Sequence, residues 1–144
     1  RQESMQAINA ANTGHSVITT IHANSCEDTY YRMVTLCKQE QPGMDDTTLQ
    51  NLATKAFPIV AFAKRLEDNS RRIMEITECE TLQDGRKKMR TLYRFNITDN
   101  IIVEGKPKII GHYEKVENLS EDLQKRLREN GLPLKMQEQL LAKR

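Results

Sequence analysis

The sequence lacks the features of several classes of protein. It contains no apolar run near the roughly 18 residues that a membrane-spanning helix needs. The formal net charge is only +2, so no strong attraction to nucleic acid is expected. The three cysteines, Cys26, Cys37 and Cys79, are an odd number without a Cys-x-x-Cys spacing. We therefore expect free, buried thiols in a reducing compartment.

Complete catalytic motifs are also missing. No Gly-x-x-x-x-Gly-Lys-Ser/Thr loop is present, since Gly105-Lys106 is followed by proline and lacks the earlier glycine. No Ser-His-Asp or Cys-His arrangement can be recognised. His22 and Cys26 lie four residues apart, but no second ligand pair has a suitable spacing, so no metal site is expected. The chain by itself is not expected to hydrolyse a nucleotide, and whether it belongs to an enzyme stays open.

What is present indicates a folded α/β domain. The 144 residues are 38% hydrophobic and 29% charged, which is typical of a well-solvated globular protein with a core. The order of periodic segments favours a first half that contributes to a parallel sheet and a second half that adds antiparallel strands. The predicted elements are helices at 1–11, 25–41, 46–57, 119–130 and 134–143, and strands at 17–21, 59–63, 72–77, 89–97 and 109–110. Turns are predicted at 68–70 and 83–85, and a capping box at 118–121 begins the fourth helix.

Residues 12–25 combine a turn, a β-branched run, a histidine and a helix start in one segment. A glycine turn at Gly14 precedes a β-branched run that ends on His22, and Ser25 then has the character of a helix N-cap. A histidine between a strand and a helix could donate a hydrogen bond to a phosphate or to an attacking water. A structural role is the alternative for His22. For His15, the residues by themselves favour a structural role. If residues 15–22 are extended, the two imidazoles lie roughly 20 Å apart and serve different surfaces.

Two ordered motifs resemble a known family. The string Glu3 … Ala10-Ala11-Asn12-Thr13-Gly14-His15 … Thr19-Thr20-Ile21-His22-Ala23-Asn24-Ser25 resembles the histidine box of the type II/type IV secretion ATPases. The nearest branch is that of the tight-adherence pilus (CpaF-like) and conjugation ATPases. The segment from Arg65 to Glu78 resembles the family's arginine-containing hairpin, which ends in Ile-Thr-Glu. Tyr93-Arg94-Phe95 and Gly111-His112-Tyr113 resemble later elements.

The resemblance implies a fold and an activity. Residues 1–118 would form the C-terminal part of a RecA-like P-loop ATPase domain, a partial parallel sheet with antiparallel strand additions. The resemblance covers residues 1 to about 113, and for residues 119–144 it is the periodicity that predicts a C-terminal helical segment. The parent would be a hexameric motor that couples ATP hydrolysis to the export of protein or DNA. We expect this chain to be a catalytically incomplete fragment of it, because the Walker A and Walker B motifs are absent. ATP and Mg²⁺ are expected in the full-length protein, and none bound to the fragment.

The resemblance also implies roles for particular residues. Glu3 matches the acid just after the Walker B strand, His22 the box histidine near the γ-phosphate, and His15 the other member of the box. Three arginines match a basic segment near the nucleotide or the neighbouring subunit: Arg65, Arg71 and Arg72.

The implied partners are other copies of the motor and the platform proteins of an inner-membrane secretion or conjugation system, at the cytoplasmic face of a bacterial membrane. No direct binding of nucleic acid is expected. The alternative is a non-catalytic module whose second half and C-terminal helices dock a membrane secretion platform. A stand-alone phosphate-binding or metal enzyme fits poorly, because no complete site can be recognised.

Overall fold

The computed structural model describes residues 3–141 of the chain. Within them the fold is α/β, with a four-stranded antiparallel sheet in the order β1-β2-β3-β4. Two compact units result: the N-terminal unit, which reaches to Val60, and the sheet unit, which begins at Ala61. The elements of the described residues are α1 (Glu3–Asn12), α2 (Cys26–Glu40), α3 (Asp46–Ala56), β1 (Ile59–Arg65), β2 (Arg71–Thr81), β3 (Lys87–Val103), β4 (Lys106–Lys115), α4 (Glu121–Glu129) and α5 (Leu134–Leu141).

Three helices build the N-terminal unit. Ser25 caps α2 by accepting a hydrogen bond from the Asp28 N–H at 3.0 Å, and Asp45 caps α3 through the Thr48 N–H at 2.8 Å. The helices turn their apolar stripes toward one another, as their sequence periodicity predicts. Their shared core is made of Met5, Ile8, Met33, Cys37, Leu49 and Ala53.

Gly14 ends α1, as predicted. It has a φ of +95°, and its N–H donates to the Ala11 carbonyl while the His15 N–H donates to the Ala10 carbonyl. This pair of hydrogen bonds is the Schellman arrangement that commonly closes a helix on glycine.

The strand predicted at residues 17–21 is wrong. Residues 15–23 carry no strand pairing with any other described residue. The β-branched run has the propensity for a strand, but a strand also needs a neighbour to complete its hydrogen-bond ladder. Ile21 still packs against the helical core, whereas Ile18 is 98% exposed. The parallel part of the predicted sheet is therefore not found among residues 3–141, where the sheet is antiparallel.

The turns predicted at residues 68–70 and 83–85 are confirmed. The β1–β2 turn closes when the Leu66 N–H donates to the Ser70 carbonyl at 2.8 Å, with Asn69 at a positive φ of 64°. The sequence does not predict the β3–β4 turn, where residues 104 and 105 both have positive φ, as in the tight turns that suit antiparallel hairpins. The strand expected at 109–110 is part of a longer β4, and β3 continues to Val103.

A β-bulge interrupts the alternation predicted for β3. Ile76 pairs with Tyr93 and Thr77 pairs with Thr91, so Leu92 is an extra residue in its strand. The inserted residue shifts the face on which the following side chains lie. Leu92 and Phe95 are therefore both buried although they are three positions apart. Phe95 packs in a small core with Leu66, Met74 and Ile109.

Two helices complete the sheet unit. The sequence places a capping box at 118–121, and the structure assigns the cap itself to Ser120, whose hydroxyl accepts from the Leu123 N–H at 3.1 Å. Gly131 follows α4 with a φ of +90°. The Lys115 ammonium donates to the Leu140 carbonyl at 2.5 Å and ties α5 to β4. The end of the helix predicted at 134–143 lies outside the described residues. The division into domains at residue 118 stays a prediction.

Candidate functional site

A cavity of about 230 Å³ lies in the N-terminal unit, beside the start of α1. Polar groups reach it from Glu3 and Ser4 in the first turn of α1 and from Thr19 and Thr20 in the segment that joins α1 to α2. The remaining lining is apolar and comes from Ala7, Ile21, Met33, Leu36 and Phe57. A carboxylate and three hydroxyls over an apolar wall can bind a small polar group by hydrogen bonds.

The first amides of α1 are already occupied by a carboxylate. The N–H groups of Ser4 and Met5 each donate to a Glu40 carboxylate oxygen at 3.3 Å. A helix N-terminus favours a negative charge, and Glu40 supplies it from the end of α2. An incoming anion would therefore have to displace Glu40 to use these amides. Glu40 is not predictable from the sequence, because no local signal connects Ser4 and Glu40, which are 36 positions apart.

His15 is exposed and lies directly after the end of α1. Its backbone N–H closes the helix, and its ring Nδ1 lies 3.4 Å from the Thr13 hydroxyl. The Thr13 hydroxyl in turn lies within hydrogen-bond distance of the Asn9 and Ala10 carbonyls. His15 does not line the cavity beside Glu3.

His22 is exposed on a segment that is anchored on both sides. Ile21 packs against the core before it, and the Asn24 N–H donates to an Asp28 carboxylate oxygen at 2.9 Å after it. Ser25 then begins α2. Among residues 3–141 no hydrogen-bond partner of the His22 ring is seen. The imidazole is thus free to donate to, or accept from, a bound group near the start of α2.

The three arginines of the sheet unit have different surroundings. Arg65, at the end of β1, donates to the Asn69 side-chain oxygen at 2.6 Å, and Arg71 is exposed at the start of β2. Arg72 is half-buried, with its guanidinium carbon 4.7 Å from the centroid of the Phe95 ring. This is a cation–π contact, so Arg72 is partly committed to holding the sheet together.

Asp68 fixes the turn between these arginines. Its carboxylate accepts hydrogen bonds from the side chain and N–H of Ser70 and from the Ile109 N–H at 3.1 Å. The Ser70 hydroxyl contributes most, and with the two backbone donors and the nearby Arg72 charge it lowers the pKa of Asp68 to about 2. Asp68 is therefore ionised at neutral pH and holds β1, β2 and β4 together.

The structure sorts the predicted site residues into two groups. Glu3, His15 and His22 belong to the N-terminal unit, and the three arginines belong to the sheet unit. Only Glu3 lines the cavity, together with two threonines of the histidine-box string. The catalytic and nucleotide-binding roles of all six residues stay predictions.

The cysteines and the acids of residues 3–141 form no cluster that could hold a metal ion. All three thiols are free and buried. Burial, with a smaller effect from the Glu40 charge, raises the pKa of Cys37 to about 11, and burial also raises the pKa of Cys79. Both groups are thus neutral thiols and poor nucleophiles at neutral pH.

This arrangement defines an α/β protein with a polar cavity and an exposed histidine at the start of a helix. A sequence model of the Type II/IV secretion system protein family matches residues 1–142. The chain belongs to this family and is related to the secretion ATPases. No curated protein matches the chain. No helix within residues 3–141 has the length and apolar character needed to cross a membrane.

Proposed function

We propose that the chain is the C-terminal part of a RecA-like domain in a hexameric secretion ATPase of the CpaF-like or conjugation branch. In this proposal the phosphate-binding loop, the Walker B acid and Mg²⁺-bound ATP belong to the full-length protein. The assembly works at the cytoplasmic face of a bacterial membrane with a secretion or conjugation platform. Family membership supports the motor class.

One observation carries the proposal. Residues 15–23 have the sequence of a buried strand, yet they find no partner strand within residues 3–141 and leave Ile18 98% exposed. Burying an isoleucine side chain is worth about 1.5–3 kcal/mol. A strand supplied by another part of the full-length protein would pair with this segment and cover Ile18. The segment would then deliver His22 to the carboxyl edge of a parallel sheet, where nucleotides bind in such folds.

The residues then take distinct roles. His22 senses or stabilises the γ-phosphate, and Glu3 acts beside the same site from the first turn of α1. His15 serves another surface. Arg65 and Arg71 are exposed and suited to a nucleotide or a neighbouring subunit, whereas Arg72 is engaged with Phe95. Loss of the γ-phosphate would release His22 and permit rigid-body motion within the ring.

A titration with Mg²⁺-ATP tests this proposal. The 144-residue chain should show no tight binding, and the full-length protein should bind, with ATP hydrolysis that rises as hexamers form. Tight Mg²⁺-ATP binding by the 144-residue chain would contradict the proposal, because it would mean that a complete site lies within these residues. A full-length protein that neither binds nor hydrolyses ATP would contradict it as well.

A second candidate function is a non-catalytic module that docks a membrane secretion platform. It is favoured by α5, where Leu134 and Met136 are exposed apolar side chains. The two candidates differ in one measurable respect. A docking module keeps its platform binding when His22 is replaced and shows no ATP turnover in the full-length protein.

A further inference from the structure

The position of the His22 ring depends on the backbone that carries it. The residue is exposed, and within residues 3–141 no group holds the imidazole by a hydrogen bond. A side chain without a partner keeps its rotamer freedom, so only the backbone at residue 22 fixes where the ring starts. The contacts that hold the chain on either side of His22 therefore decide where its ring can reach.

Two anchors hold the backbone around His22. On one side, Ile21 packs against the helical core of the N-terminal unit. On the other side, the Asn24 N–H donates to an Asp28 carboxylate oxygen at 2.9 Å. Only His22 and Ala23 lie between these anchors. Two residues leave the chain little freedom, because consecutive Cα atoms are only about 3.8 Å apart.

Asp28 belongs to a turn that is itself firmly held. Its N–H donates to the Ser25 hydroxyl at 3.0 Å. The Thr29 N–H and hydroxyl both donate to the Ser25 carbonyl, at 3.1 and 2.8 Å. Thr29 is buried, and so is Cys26 at the first position of α2. The first turn of α2 is therefore a fixed base from which the Asp28 carboxylate can hold the segment before the helix.

Asp28 reaches further back than the acid of an ordinary capping box. There the acid in the first turn accepts a hydrogen bond from the N–H of the N-cap residue. Asp28 accepts from the N–H of Asn24, the residue before the N-cap Ser25. Its bond thus fixes the segment that carries His22 and not only the end of the helix. A carboxylate and a phosphate repel each other, so Asp28 is not itself suited to contact the nucleotide.

We propose that Asp28 is a positioning residue for His22, which it holds through the backbone of Asn24. This role rests on the proposed function, in which His22 contacts the γ-phosphate. Asp28 then affects ATP turnover without contacting the nucleotide. A misplacement of about 1 Å at a reacting group can lower a rate about a hundredfold. Loss of one of the two anchors should lower kcat about tenfold, which is less than the loss of the ring itself.

Steady-state ATP turnover by variants of the full-length protein tests this role. Asp28→Ala should lower kcat about tenfold and change KM for ATP less than about twofold, because the ring is misplaced while the phosphate-binding loop is intact. Asp28→Asn should keep kcat within about threefold of the parent, because the amide oxygen still accepts from the Asn24 N–H, although more weakly than a carboxylate. In a chain that carries His22→Ala, the change Asp28→Ala should have no further effect, because a positioning residue acts only through the ring.

The matched control is Asp45→Ala. Asp45 caps α3 through the Thr48 N–H, so this variant also loses an acid at a helix start, and it should keep the parent kcat. An equal loss of turnover in Asp45→Ala and Asp28→Ala would overturn the positioning role, because it would indicate general destabilisation.

The remaining outcomes separate this role from the proposed function. Parent turnover in Asp28→Ala, together with lost turnover in His22→Ala, would overturn the positioning role alone. Parent turnover in His22→Ala would contradict the proposed function and the positioning role with it. Equal losses in Asp28→Asn and Asp28→Ala would show that the charge matters rather than the hydrogen bond, and would overturn the role. So would additive losses in the double variant, because Asp28 would then act independently of His22.

Discussion

A buried carboxylate attaches α4 to the sheet, and its removal should destabilise the sheet unit. The Glu78 side chain in β2 is only 3% exposed. Its two carboxylate oxygens accept from the Ser120 N–H at 2.8 Å and from the Ser120 hydroxyl. The same hydroxyl oxygen accepts from the Leu123 N–H and caps α4. One serine thus both begins the helix and satisfies a buried acid.

Replacing Ser120 with alanine removes both functions. Loss of an N-cap costs about 1 kcal/mol. A buried carboxylate oxygen that loses its donor costs about 1–3 kcal/mol more. We therefore expect Ser120→Ala to lower the free energy of unfolding by about 3 kcal/mol. Urea unfolding followed by circular dichroism measures the total, and hydrogen exchange of the α4 amides, residues 121–129, shows where the loss occurs.

Ser25→Ala is the matched control. Ser25 caps α2 through the Asp28 N–H, so its loss should cost about 1 kcal/mol, the price of the cap without a buried acid. The reasoning fails if the two alanine variants lose equal stability. It also fails if Ser120→Ala leaves hydrogen exchange in α4 unchanged, because the serine would then not anchor the helix.

Three further predictions follow from the same structure. Gly111→Ala should lower the free energy of unfolding in a urea titration by about 2 kcal/mol, because the alanine Cβ would lie 2.7 Å from Phe95 and 2.4 Å from a backbone oxygen. The control Gly43→Ala should change it little, because a Cβ at residue 43 would have no neighbour within 4 Å. The pKa of Asp68 is lowered from 3.8 to about 2, so its stabilising effect is complete above pH 4 and is lost as the pH falls toward 2. Asp68→Asn should therefore flatten this part of the acid-unfolding curve. An unchanged curve would contradict the role assigned to Asp68. The three buried thiols should react with a chromogenic disulfide reagent only after unfolding, and rapid reaction in the native protein would show that one is accessible.

Local chemistry made part of the fold predictable from the sequence. Helix caps, glycine turns and the Asp68–Ser70 turn are decided by residues within four positions of one another. For this reason Ser25 at the start of α2, Gly14 at the end of α1 and the β1–β2 turn were all predicted where the structure has them.

Long-range contacts account for what the sequence could not predict. Whether residues 17–21 form a strand depends on a partner strand, which propensity does not supply. Glu40 and Glu78 find their donors 35 to 42 residues away, at sites that no periodicity marks. The bulge at Leu92 depends on how β2 and β3 pair. The candidate site shows the same division, because its histidines were visible as a motif and the cavity beside Glu3 was not.

ATP turnover by the full-length protein tests the central proposal most directly. His22→Ala should lower turnover roughly a hundredfold, the usual effect of removing a group that stabilises charge in the transition state. The matched control is His112→Ala, which removes an exposed histidine from β4. His112→Ala should turn over ATP at the parent rate. Equal turnover by His22→Ala and the parent would contradict a nucleotide-site role for His22.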